Sequence, residues 1–182
     1  MNALNETGRR FVIDTHLLDS PGVDVEALRA FHEAGKLELA VTDVLGTEIS
    51  AAGPTKRVEL EKLAENYVEI LGPLLVGHSR LASSVTGSTQ DEERLNEVFA
   101  FLFPNVAMNV ARKQHVRDAL HISTAIRYGF DAFITNDRML LRAQGQVVAQ
   151  FGVDVMTPSR ARAFIERLLE KGSPSARSGG SC

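Results

Sequence analysis

The sequence predicts an α/β fold: a three-layer sandwich around a central parallel sheet of about four to five strands, with an extra helical segment. Short apolar runs alternate along the chain with longer stretches whose apolar residues recur at helical spacing. The helical stretches outnumber the strand-like runs and separate them, as the crossovers of a parallel sheet require. A third observation points to a site. Asp14 and Asp137 each follow a strand-like run, and Glu48 and Asp118 lie on flanking helices. Parallel strands share one C-terminal edge, and ligands bind there.

Residues 11–14, Phe-Val-Ile-Asp, read as a buried first strand. Residues 24–34 read as a helix with Val25, Leu28 and Phe31 or His32 on one face and Gly35 as its stop. Residues 37–41 are the second strand. Thr42 is expected to cap a helix reaching Ala51, before Gly53-Pro54 breaks it. Residues 55–71 read as one helix, because Val58, Leu60, Leu63, Ala64, Tyr67, Val68 and Leu71 recur at helical spacing. A short strand over 73–78 and a Ser-, Gly- and Thr-rich loop over 79–88 follow. The helix over 89–103 opens on a capping signal, Thr89 with Glu92 three residues on, and has Leu95, Val98, Phe99 and Leu102 as its apolar face. Residues 113–128 form the next helix, with Val116, Leu120 and Ile126 or Ala125 inward. A strand over 132–135, a helix over 138–151 and a strand over 153–156 complete the pattern. Pro158 suits the first position of a last helix ending near Lys171. Residues 1–171 are thus expected to form one domain, and 172–182, aperiodic and rich in Ser and Gly, a disordered tail.

Hydrophobic residues make up 44% of the 182, enough to fill the core of one domain. The formal net charge of −3 gives no global pull on a polyanion, so any nucleic acid must be held by metal or by a local basic patch. A lone cysteine, Cys182, excludes an intrachain disulfide and agrees with a reducing compartment. No apolar run approaches the roughly 20 residues that span a membrane, and residues 1–10 are too polar for a signal peptide. The expectation is a soluble, cytoplasmic protein with no membrane contact.

Each acid of the proposed edge has a plainer alternative. Asp14 and Asp137 also resemble helix caps or turn residues. Glu48 resembles an ordinary solvated glutamate. Asp118 sits near a helix N-terminus, where a negative charge gains roughly 0.3–1 kcal/mol. Asp131 begins the run that Asp137 follows, so it is expected at the opposite edge in a structural role. Brought together, the four could not stay fully ionised without cations. Their natural partner is a hard divalent metal with oxygen ligands, Mg²⁺ or Mn²⁺.

In combination these residues resemble the PIN-domain family of small metal-dependent nucleases. Phe11-Val12-Ile13-Asp14-Thr15 followed by Leu17-Leu18 is similar to the opening Asp-Thr-x-x-Leu block. The stretch from Val41 to Glu48 is similar to the second block, with its glutamate on the helix after the strand. Asp118 to Ala125 resembles the Asp-x-x-Ile-x-x-x-Ala helix, and Phe133-Ile134-Thr135-Asn136-Asp137 the closing Thr-x-Asp block. The four blocks occur in order over residues 11–157. Two features depart from the pattern. The segment between Glu48 and Asp118 is longer than in compact members and is expected to form a helical hairpin over the site. His16 stands where a small polar residue is common.

The resemblance implies a phosphodiesterase acting on RNA, with catalytic and metal-ligating roles for Asp14, Glu48, Asp118 and Asp137. Asp14, on the rigid end of a strand, is the expected central ligand, and Glu48 binds directly or through water. Thr135 or Asn136 would position a water or an acid. Arg112, Lys113, His115 and Arg117 precede Asp118, while Arg138 and Arg142 follow Asp137. Arg117 and Arg138 are the expected phosphate contacts, against the alternative of a solvated helix face. Bacterial members include toxins of toxin–antitoxin pairs, so a toxin role and a cognate antitoxin are further implications. Apolar helical faces between residues 55 and 103 suggest a homodimer or a small protein partner. The rival from another class is a catalytically inactive PIN-like interaction module. An aspartyl phosphatase ranks below both, because His16 stands where its second Asp would be expected.

Overall fold

Side chains along the central strands alternate between two apolar layers, and this alternation organises the fold. The computed structural model describes residues 7–19, 22–72 and 88–172. Its single sheet contains β1 (Arg10–Ile13), β2 (Glu38–Thr42), β3 (Val68–Ile70), β4 (Ala132–Ile134) and β5 (Asp154–Met156), in the order β3-β2-β1-β4-β5. Every pair is parallel. Val12, Ala40, Phe133 and Val155 face one layer, and Phe11, Ile13, Leu39, Val41, Ala132, Ile134 and Met156 face the other. Both faces of a parallel sheet are covered, so its strands read as near-continuous apolar runs.

The first layer is built by α5 (Thr89–Leu102), α6 (Lys113–Arg127) and α7 (Arg138–Phe151). The second holds α1 (Thr15–Leu18), α2 (Val23–Glu33), α4 (Pro54–Ala64) and α8 (Pro158–Gly172). The short α3 (Val44–Ser50) follows β2 and divides its apolar residues between the layers, with Val44 in one and Leu45 and Ile49 in the other. A 3₁₀ turn, Met108–Val110, precedes α6.

Several elements differ from the sequence expectation. The helix expected over 55–71 ends at Ala64, and β3 follows as an edge strand. Its three residues are too few for a period-2 pattern, and Val68 and Glu69 are exposed. Among the described residues, the longer segment holds α4, β3 and α5, with α4 and α5 in different layers rather than paired as a helical hairpin. Thr42 is the last residue of β2, not a cap; Asp43 takes the cap position of α3. The capping box of α5 lies one residue earlier than Thr89 and Glu92: Ser88 Oγ accepts from Asp91 N–H, and the Asp91 carboxylate accepts from Ser88 N–H. The strand expected over 73–78, most of the loop over 79–88 and nearly all of the tail lie outside the described residues. Just before that gap, Gly72 donates its N–H to the buried Asp43 Oδ1 at 3.0 Å. A Cβ there would stand 2.7 Å from Thr124 Oγ1, which is why the position needs glycine. Among the described residues no helix is long and apolar enough to cross a membrane.

Candidate active site

The strand order places a switch point beside β1. From β1 the chain moves outward through β2 to β3, then returns to the other side of β1 as β4 and continues to β5. A crevice opens at such a point, outside the strand C-termini. Asp14 directly follows β1, and Asp137 follows β4 by three residues. The ladder continues past both strands: Asp14 N–H bonds Ile134 O at 2.9 Å, and Thr135 N–H bonds Met156 O at 2.9 Å. The two acids are therefore carried by rigid backbone.

A cleft of about 510 Å³ occupies this crevice. Asp14, Glu48 and Asp137 line it, together with Thr15, His16, Asp19, Leu60, Gln114, Arg117 and Asn136. Thr135 ties the two strand-end acids together. Its hydroxyl donates to Asp14 Oδ2 at 2.5 Å and accepts from Asp137 N–H at 2.9 Å. His16 Nδ1 lies 3.1 Å from the same Asp14 oxygen. Asp14 holds the cap position of α1 but makes no side-chain cap bond, so the plain capping role fails there. It succeeds in part at Asp137, whose Oδ1 accepts from Met139 and Leu140 N–H at 2.7 and 3.1 Å.

Glu48 reaches the cleft because α3 packs against α6. One of its carboxylate oxygens lies 3.9 Å from Arg117 Nη1 and the other 4.0 Å from His121 Nε2. Asp118 is 4% exposed and does not line the cleft as the side chains stand. Gln114, one turn earlier on α6, does line it and donates to Asp118 Oδ1 at 2.7 Å.

The two aspartates titrate in opposite directions. Burial alone would raise Asp14, but the hydrogen bonds from His16 and Thr135 and the field of nearby histidines hold it below its usual value. Asp14 in turn raises His16, against burial and with help from the charges of Glu48 and Asp137. Burial pushes Asp118 up to about 7, the Gln114 bond opposes this, and the charges of Asp137, Asp14 and Glu48 add to it. All four carboxylates therefore share one electrostatic field.

Sharing a field is not the same as ligating one ion. Among the described residues, no three Asp, Glu, His or Cys side chains already stand as a ready ligand set. Asp14, Glu48 and Asp137 offer carboxylate oxygens to one cleft, and Asp118 lies behind its Gln114. Such a set fits a hard divalent cation in donor type and charge, and binding one would require the side chains to draw together.

The sequence reading named Asp14, Glu48, Asp137, Asn136 and Arg117 on the cleft wall, and Thr135 behind it. Arg138 is exposed at the start of α7 and does not line the cleft, nor do Arg112, Lys113, His115 or Arg142. His115 instead stacks on Phe103, with ring centroids 4.3 Å apart. The reading missed Gln114 and His121 as neighbours of the acids. Their positions relative to Asp118, four residues before and three after, were the available signal, because such residues share a helix face. It also missed the ion pair between Lys56 of α4 and Asp19, a residue of the cleft wall. No protein-family model matches the chain, and no curated protein matches it in sequence.

Proposed function

We propose that the chain is a metal-dependent phosphodiesterase, an endoribonuclease that hydrolyses RNA. One observation carries this: Asp14, Glu48 and Asp137 line one cleft at the switch point of a parallel sheet, with Asp118 buried behind Gln114 of the same wall. Asp14, Asp118, Asp137 and Glu48 would hold Mg²⁺ or Mn²⁺. Such an ion, when bound, supplies charge relief on the phosphate and an activated water. Thr135 keeps Asp14 and the backbone at Asp137 in fixed relation. Arg117 offers the cleft a guanidinium suited to a phosphate oxygen, and Asn136 offers an exposed amide at the rim. The net charge of −3 leaves substrate capture to these local groups.

RNA as the substrate, a toxin role and a cognate antitoxin rest on the PIN-domain resemblance. Of the apolar faces between residues 55 and 103 that suggested a homodimer, that of α5 packs against α6 within the chain, and among the described residues of this segment Val58 and Val68 are exposed. A second reading is a PIN-like interaction module without catalysis. It is favoured by the basic side chains already facing Asp14 and Glu48.

The deciding experiment titrates Mg²⁺ and Mn²⁺ against labelled RNA and DNA panels, with wild type and Asp14→Asn side by side. Metal-dependent cleavage by wild type alone is the expected result. Mn²⁺ binding without cleavage would favour the module. Equal cleavage by both proteins would expose a contaminating nuclease and remove the basis for an activity.

A further inference from the structure

His121 lies one helical turn beyond Asp118 on α6 and is 2% exposed. Its ring stacks on Phe133, with centroids 5.3 Å apart. Nδ1 stands 2.7 Å from the hydroxyl of Thr42, itself buried at the end of β2. Nε2 is buried without a hydrogen-bond partner, and Glu48 Oε2 faces it from 4.0 Å. That gap is within ion-pair range and beyond a hydrogen bond.

The surroundings select one tautomer. A proton on Nδ1 would turn the bare lone pair of Nε2 toward a carboxylate in a buried setting, where like-signed dipole and charge repel. A proton on Nε2 lets the Thr42 hydroxyl donate to Nδ1 and aims an N–H at Glu48. Glu48 then stands between two donors, one for each oxygen, with Arg117 Nη1 at 3.9 Å on the other side. Two donors on two oxygens fix the plane of a carboxylate. Closing either gap takes a movement of about 1 Å, since hydrogen bonds of this kind span 2.7–3.2 Å.

We propose that His121 is a positioning residue for Glu48: Thr42 fixes the imidazole as the Nε2–H form, and that N–H orients the Glu48 carboxylate at the cleft. The network joins β2, α6 and α3 through three side chains. Its consequence for metal rests on the proposed function, whereas its geometry does not. Hydrogen-bonded partners of ligating carboxylates are part of a metal site, because they set the angle at which the oxygen is offered.

The test has one arm without metal and one with it. In protein labelled with ¹⁵N-histidine, held at a pH where His121 is neutral, its signals should report a protonated Nε2 and a bare Nδ1. Thr42→Val should mix the two tautomers, and Glu48→Gln should shift the Nε2 signal. A protonated Nδ1 in wild type, or an Nε2 signal indifferent to Glu48→Gln, overturns the proposal. In the second arm, His121→Leu should weaken Mn²⁺ binding roughly 10–100-fold, and His121→Gln, which keeps a side-chain N–H, should recover most of the loss. The double variant with Glu48→Gln should bind no more weakly than Glu48→Gln alone. Independent, additive losses would overturn the positioning role. Thr42→Val, nearly unchanged in shape, gives the same readout if His121→Leu does not fold. A wild type that takes up no Mn²⁺ removes the proposed metal site, and the tautomer arm still decides whether His121 holds Glu48.

Discussion

The two edges of the sheet both carry acids and treat them differently. At the N-terminal edge each acid has a guanidinium in hydrogen-bonding range. Asp131 receives Arg9 Nη1 at 2.5 Å and the Arg10 N–H at 2.9 Å. Glu38 receives Arg10 Nε at 3.2 Å, and Asp154, at the start of β5, receives Arg160 Nη2 at 3.0 Å. Arg10 also lies over the Phe130 ring at 4.1 Å and donates to Tyr128 O. At the C-terminal edge, among the described residues, the nearest guanidinium approach to the four acids is 3.9 Å. Pairing charges is the ordinary way to carry acids at a half-buried edge, and one edge of this sheet does so. At the other edge Asp14 and Asp137 are held by a histidine, a hydroxyl and backbone N–H groups instead, and Asp118 by an amide, none of them a guanidinium. That contrast distinguishes the two edges better than burial does, since Asp131 and Asp137 are both partly buried.

The largest expected effect is on activity. Asp14→Asn should lower metal-dependent RNA cleavage on the order of 10³-fold or more, since an ion's charge stabilisation is worth several kcal/mol and each 1.36 kcal/mol is tenfold in rate. Asp131→Asn should leave cleavage and Mn²⁺ affinity unchanged, although it removes an acid from the same sheet. Single-turnover kinetics on both variants would erase the contrast between the edges if they fell equally.

The next effect is on stability against pH in metal-free protein. Asp118 binds its proton more tightly folded than unfolded, with the value raised from 3.8 to about 7. The stabilisation from that proton is full below pH 3.8, falls as pH rises through the window, and is gone above about 7. The span amounts to roughly 4 kcal/mol, at 1.36 kcal/mol per unit. Asp118→Asn should flatten this slope in EDTA and stabilise the protein at pH 8. Asp14 has the opposite sign: its lowered value contributes stability above pH 3.8, lost as pH falls below it. Denaturant melts at several pH values measure both. A wild-type slope between pH 4 and 7 no different from that of Asp118→Asn would contradict the assigned field at Asp118.

Metal should reverse that penalty. At 100 times its Kd, Mn²⁺ should add roughly 2.7 kcal/mol, or about 5–10 °C in Tm for a chain of this size. Asp131→Ala should cost a smaller amount, about 1–2 kcal/mol, from a half-exposed ion pair and one backbone hydrogen bond. The Mn²⁺ increment should survive in Asp131→Ala and vanish in Asp14→Asn. Thermal melts of the three proteins, with and without Mn²⁺, read both effects. No Tm response in wild type would leave the C-terminal edge as merely strained.

The sequence made these edges legible to different degrees. Strand ends are readable because a buried parallel strand is a short apolar run and the acid after it is conspicuous, as at Asp14 and Asp137. Asp131 was placed at the far edge by the same logic. β3 was not readable: Val68 and Leu71 continue the apolar spacing of α4, and no turn signal of Gly or Pro separates them from it. The pairing of Asp131 with Arg9 across 122 positions is a tertiary fact with no local trace. The same holds for Thr42 and His121, 79 positions apart. A polar residue at a strand end looks like a cap until the helix that covers it is known.

The smallest effect concerns the two arginines that were indistinguishable in sequence. Each adjoins a proposed ligand, Arg117 before Asp118 and Arg138 after Asp137. Adjacent helix positions differ by about 100° in direction, so adjacency decides nothing. The structure separates them, with Arg117 on the cleft wall and Arg138 exposed outside it. A phosphate contact on a single strand adds about 0.7 to the slope of log affinity against log salt. Arg117→Ala should therefore flatten the salt dependence of RNA binding by about that amount, equally for all sequences, whereas Arg138→Ala should leave it within error. The measurement needs Asp14→Asn as the background, so that RNA is bound and not cut. Because Arg117 also faces Glu48, its loss should weaken Mn²⁺ binding as well, and the salt slope must be taken at saturating metal. Equal flattening by both variants would mean that the RNA path runs over the start of α7 rather than through the acidic cleft.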